Sequence, residues 1–204
     1  MNKLFFLVLV MLTIISCGPS TQIVKSWKDP SSSVTPGPTN KIFIIAMVKD
    51  ESSRRIVEDE LVKRLSGDAV ASYTVLPAEM MKAASAEVLD HILKDGQYTH
   101  VLMMLLTDIE NETYYVPGST SVYYGGYGSY YGYGASYYSD PGYYATDKNY
   151  FVETTVYSIN PDKLIWTGTT KTVNPTQLEK TVNDIATAVT LQMKEDGFLK
   201  EPKK

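Results

Sequence analysis

Two stretches of this chain are apolar at consecutive positions, not at alternate ones: Ile42-Phe43-Ile44-Ile45-Ala46-Met47-Val48 and Val101-Leu102-Met103-Met104-Leu105-Leu106. A strand with one wet face alternates apolar and polar residues, so runs of this kind belong to strands covered on both faces. Between them the period changes to that of a helix. After Asp50, which can cap, Ile56, Val57, Leu61 and Leu65 form an apolar stripe, while Arg54–Glu58 and Arg55–Asp59 stand at ion-pairing spacing. Gly67 ends this helix, and residues 69–76 read as a second strand stopped by Pro77. Residues 79–94 read as helix in two pieces, with Ser85 as cap of the second, Val88, Leu89 and Ile92 facing inward, and Gly96 closing it. Strand-helix-strand-helix-strand in this order implies right-handed crossovers with helices on the faces of a sheet.

Residues 151–159 and 163–172 flank Asn160-Pro161-Asp162, turn chemistry with proline in the second position, and read as an antiparallel hairpin. The last element is helical: Asn174 as cap, Pro175 at the first helical position, Gln177 as capping-box partner, then Leu178, Val182, Ile185, Val189 and Met193 on one face until Gly197. The expected fold is α/β: a single domain with a mixed sheet (βαβαβ plus antiparallel hairpin), helices packed on it and a C-terminal helix. That domain spans 41–199, preceded by a tether at 17–40 with a short strand at 23–28 and a loop rich in serine and proline.

The chain begins with one cation, Lys3, and an apolar run over residues 4–15. Twelve positions fall short of the roughly 20 a membrane-spanning helix needs and suit the core of a signal peptide. The run ends Ile14-Ile15-Ser16-Cys17, which resembles the bacterial lipobox. Residues 1–16 are therefore expected to be removed and Cys17 to be lipidated. Cys17 is the only cysteine, so the mature chain is left without a thiol nucleophile, a disulfide or a thiolate metal ligand. Loss of Lys3 leaves 18 basic against 23 acidic side chains, well mixed, and no basic face of the kind that binds nucleic acid.

Residues 113–150 hold 13 of the 16 tyrosines, interleaved with glycine. Tyrosine presents a flat apolar face with a polar tip, suited to sugar rings, peptides and protein surfaces. Glycine between the rings disfavours regular structure. A Tyr/Gly-rich loop is expected at 117–148, with Tyr123, Tyr124, Tyr127, Tyr130, Tyr131 and Tyr133 as candidate binding residues. The competing reading is a solvated low-complexity excursion. A second candidate is the edge at Lys49-Asp50 leading to Arg54 and Arg55, with Asp108 and Glu110 at the same strand ends; helix capping and ion pairing account for the same residues.

Catalytic patterns are missing. His91 and His100 belong to neither H-x-x-x-H nor H-E-x-x-H, and the chain has no G-x-S-x-G elbow and no phosphate-binding loop. The expectation is a protein that is not an enzyme, with no catalytic residues, no metal and no cofactor.

Several local strings together resemble a family of bacterial envelope lipoproteins with a Tyr/Gly-rich loop, for which no activity is established. They are Ser26-Trp27, Lys49-Asp50 before Arg54-Arg55 and Glu58-Asp59, Ser72-Tyr73-Thr74 with Leu76-Pro77, Tyr98-Thr99-His100-Val101, Glu112-Thr113 with Tyr115-Val116-Pro117-Gly118, and Leu164-Ile165-Trp166-Thr167-Gly168-Thr169-Thr170. The architecture also looks like that of periplasmic domains that assist envelope machines, such as penicillin-binding-protein activators and curli-secretion components. The resemblance implies a lipid-anchored envelope protein, a non-catalytic binding or assembly module. Its expected partners are the membrane, through the lipid, and an envelope protein or glycan, through the loop. Gly18 in place of aspartate after Cys17 points to the outer membrane, facing the periplasm. The alternative is an adhesive, self-associating surface lipoprotein; an enzyme with a composite site is a third reading.

Overall fold

The computed structural model describes residues 21–35, 39–65, 68–83, 85–116 and 142–200. The signal peptide, Cys17, Gly67 and the six candidate tyrosines lie outside the described residues. Six strands form one mixed sheet: β1 (Thr21–Lys28), β2 (Ile42–Met47), β3 (Ala69–Ala71), β4 (His100–Val116), β5 (Tyr143–Ile159) and β6 (Asp162–Val173). Their order is β1-β6-β5-β4-β2-β3. β3, β2 and β4 run parallel, while β4, β5, β6 and β1 pair antiparallel in succession. Among the described residues four α-helices accompany them: α1 (Glu51–Leu65), α2 (Ala78–Ala83), α3 (Ala86–Asp95) and α4 (Leu178–Glu195). The fold is the expected α/β one.

The pleat divides β2 between two cores. Ile42, Ile44 and Ala46 face α1 and α4 together with Leu102, Val156, Trp166, Val182, Val189 and Met193. Phe43 and Ile45 face the other way, against Leu93 and Tyr98 beside α3. Double burial is what the unbroken apolar run demands. The second cover is short, however, and Leu105 and Val24 are exposed.

Several local expectations change. The second strand stops at Ala71 and turns into a 3-10 segment, Ser72–Thr74, because the Ser72 hydroxyl and the Tyr73 amide turn to the Glu58 carboxylate. On α3, Ser85 stands at the cap position without a capping bond, Val88 is exposed, and Leu93 is buried. Gly96 has φ −74°; the left-handed residue is Gln97, φ 54°. Glycine at 96 answers a different need, since a Cβ there would run into the Tyr98 ring. In the hairpin Ile159 pairs with Asp162, which puts Pro161 third in the turn, after a cis peptide bond. Asn174 does not cap the last helix: its amide is spent on the Lys148 N–H and the Asp147 carboxylate, and α4 starts only at Leu178. Gly197 does end that helix in the left-handed region, φ 67°.

Burial pushes the His100 imidazole below its usual range. A folded value below the unfolded one means the unfolded chain binds the extra proton first. This contribution to stability is whole above the unfolded value of about 6.5 and is lost as the pH falls through and below it. Urea midpoints should drop between about pH 7.5 and about pH 5, and His100→Gln should flatten that part of the profile. A wild-type-like slope in the variant would assign the effect to other groups.

Candidate functional site

α1 begins with Asp50, whose carboxylate accepts from the Ser53 amide and hydroxyl, both at 2.7 Å, bonds that hold it below the usual carboxylate range. Arg54 and Glu58, expected to pair at i,i+4, do so, and are 1 % and 0 % exposed. Arg54 Nε donates to Glu58 Oε1 at 3.1 Å, and Nη2 donates to Ser72 Oγ at 2.6 Å and to the Leu76 carbonyl at 2.8 Å. Glu58 also accepts from the Ala46 and Tyr73 amides, at 3.0 and 2.9 Å. The guanidinium and the carboxylate thus bind α1 to β2 and to the turn after β3. Four of the five guanidinium N–H groups and both carboxylate oxygens have partners within the protein, which ties the three elements together as one polar cluster. Arg55 pairs with Glu51, not with Asp59, which instead accepts from the Tyr73 hydroxyl; that bond raises the phenol above its ordinary range.

The rest of the expected edge does not assemble. Lys49, Glu51 and Arg54 line one cleft with Glu79 and Met81, whereas Asp108 and Glu110 line a separate one with Lys25 and Glu153. His91 is exposed on α3, and His100 starts β4. Among the described residues no three His, Cys, Asp or Glu side chains are placed to hold a metal ion. No helix among them is long and apolar enough to cross a membrane.

Two other features stand out. The first is an arm. β2 leaves β4 after Leu105, and β6 leaves β5 after Asn149, yet β4 and β5 remain paired from Asn111–Lys148 to Val116–Tyr143. Six rows at about 3.4 Å make a two-stranded ribbon about 20 Å long. β5 therefore claims residues 143–148 from the expected loop. A bulge at Thr107 marks the base. Along one face the Thr113 and Thr146 hydroxyls bond at 3.0 Å, and next to them the Tyr115 and Tyr144 rings meet at 5.4 Å. Tyr114, Tyr115, Tyr143 and Tyr144 are 45–75 % exposed. Residues 117–141, with the six candidate tyrosines, join the far ends of the two strands.

The second is an apolar groove of about 330 Å³ at the carboxyl end of β2, beside Met104 and Leu106 in the middle of β4. Ala46, Met104, Val152 and Tyr150 form its floor, and Val57 of α1 and Ile185 of α4 its walls. It exists because α4 starts three residues after Pro175, leaving the segment 175–177 to close one end. At its rim Met47, Val48, Leu106 and Leu178 are 36–43 % exposed. Sequence reasoning missed this groove: Leu178 and Leu106 fit the core pattern of their elements, and only the helix's late start turns them outward.

No family model matches the sequence, and no curated protein is detectably similar to it. Solved structures of similar outline include a PelC dodecamer from Paraburkholderia phytofirmans, at 10 % identity over 83 % of this chain and 96 % of that one, TM-score 0.44. Lipoprotein GNA1162 from Neisseria meningitidis is another, at 8 % identity over 76 % of this chain and 99 % of that one, TM-score 0.41. At TM-scores below 0.5 these likenesses say nothing about residues or role.

Proposed function

We propose that the chain is a lipid-anchored, non-catalytic binding or assembly module of a bacterial envelope, held by Cys17 on the periplasmic side of the outer membrane. It would meet an envelope protein or a glycan through the β4–β5 arm and the Tyr/Gly segment that joins its strands. The observation that carries the reading is the arm: six two-stranded rows beyond the body of the sheet, with four exposed tyrosines next to that segment. An isolated two-stranded ribbon is marginal in water, so its ordering energy has to come from what it meets. Exposed tyrosines supply contact area at low entropic cost.

The test is an in-cell photocrosslink from Tyr144 and from Tyr127. One envelope protein or peptidoglycan should be captured from both positions, and capture from Tyr144 should vanish when residues 119–141 are deleted while the thermal midpoint is kept. Capture of the chain alone would overturn this reading and favour self-association. The edge of β4 that β2 leaves after Leu105 offers a template for that second outcome.

A further inference from the structure

The groove and the start of β1 lie toward the same end of the sheet. β1 runs antiparallel to β6, β6 to β5 and β5 to β4, so Thr21, where β1 begins, stands level with Ile109 of β4, just past Leu106 at the groove rim. The register makes this quantitative. Thr21 pairs with Thr172, Thr172 pairs with Tyr150, and Tyr150 is part of the groove floor. Two strand spacings of about 4.8 Å put the Thr21 backbone about 10 Å from that of Tyr150. The Thr21 side chain is buried on the groove's side of the sheet, with its hydroxyl 2.9 Å from that of Thr172, which fixes the exit point. Only four Cα steps separate Thr21 from Cys17, a reach of at most about 14 Å.

From this juxtaposition we infer that the groove receives an acyl chain carried by the protein's own Cys17. The inference rests on the lipid-anchored reading above and adds to it a place for part of the lipid. The chemistry of the groove fits a hydrocarbon chain. Its lining is aliphatic apart from the Tyr150 ring, Thr181 and, at the closed end, Thr176 and Gln177, and no charged side chain is part of it. An apolar cavity of about 150 Å³ accepts a benzene ring, so about 330 Å³ has room for an acyl segment on the order of ten carbons. The exposed rim of Met47, Val48, Leu106 and Leu178 gives the chain an apolar path inward. Stable anchoring needs two acyl signals. A triacylated cysteine can lodge one chain in the groove and keep two in the bilayer, which would hold this end of the sheet against the membrane.

The experiment uses the full-length protein in a bacterial host fed a diazirine-bearing fatty acid, followed by irradiation and peptide mass spectrometry. The expected result is an intramolecular crosslink from the Cys17 peptide to the peptide containing Leu178–Ile185 or to that containing Val152. It should fall about tenfold or more in Leu106→Glu/Leu178→Glu, because a carboxylate on an apolar wall makes entry of a hydrocarbon costly. Both sites are exposed, so the variant should keep its thermal midpoint. Label on Cys17 with no crosslink to these peptides overturns the groove assignment and leaves the anchor standing. Crosslinks from the groove to free phospholipid overturn it in favour of a membrane lipid as occupant. A Cys17 peptide without label overturns the anchor, and the inference with it.

Discussion

Replacing Glu58 with alanine is expected to cost the domain about 3–5 kcal/mol, the range for removing one partner of a buried ion pair. Against a total of about 5–15 kcal/mol this approaches unfolding. The magnitude follows from what is left behind. Arg54 would keep its charge at 1 % exposure with only Glu51, 3.4 Å away, to balance it. The Ala46 and Tyr73 amides would lose their acceptor, and the Ser72 hydroxyl would lose the oxygen to which it donates at 2.6 Å. Each buried donor stranded in this way costs about 1–3 kcal/mol, with couplings that make the sum unreliable. Glu58→Gln should cost less, since it retains one oxygen; its NH₂ must face a donor, so it cannot be neutral. Chemical denaturation of the three proteins checks the order. A loss below about 1 kcal/mol for the alanine variant would mean that water reaches and satisfies the cluster.

The cluster also shows where a sequence stops being legible. Arg54 and Glu58 at i,i+4 look like any exposed pair, and most such pairs are exposed. A signal was nevertheless present: residues 54, 58, 61 and 65 follow one helical stripe, and the last two are core leucines. Position along the stripe outweighed residue type. The same competition shortened β3, because an acceptor on α1 offered Ser72 and Tyr73 better bonds than a ladder did. Neither outcome can be read from residues 69–76 alone.

Strands with unbroken apolar runs and the apolar stripe of α4 were readable, because periodicity reports burial directly. The arm was half readable. Residues 108–116 continue the strand that the apolar run 101–106 announces, but their partner at 143–148 was hidden by its tyrosine-rich composition. A ribbon exposed on both faces has no apolar pattern to betray it. Of the candidate site, the tyrosine segment was named by composition, while the groove depends on Asn174 reaching Asp147 and Lys148. That contact between distant residues delays α4 and opens the space beneath it.

Trp166→Ala should produce the second large loss, about 3–5 kcal/mol, as large aromatic truncations do in closed cores. The ring is 0 % exposed and lies 6.3 Å from that of Phe198, and its Nε1 donates to Asp196 Oδ2 at 2.9 Å. The indole therefore fastens β6 to the turn that ends α4. It can lie flat there only because position 168 is glycine: a Cβ would stand 2.9 Å from Cζ2 and nearer still to Cη2. Gly168→Ala should accordingly destabilise by about 1–3 kcal/mol through overpacking, without removing any contact. Trp166→Phe should lose the indole bond and some area, at a cost between those of the other two. The decisive measurement is the double variant Trp166→Phe/Gly168→Ala. A phenyl ring vacates the space that the new methyl needs, so the double variant should be more stable than the sum of the single losses predicts. Strict additivity would show that glycine at 168 serves the strand and not the tryptophan above it.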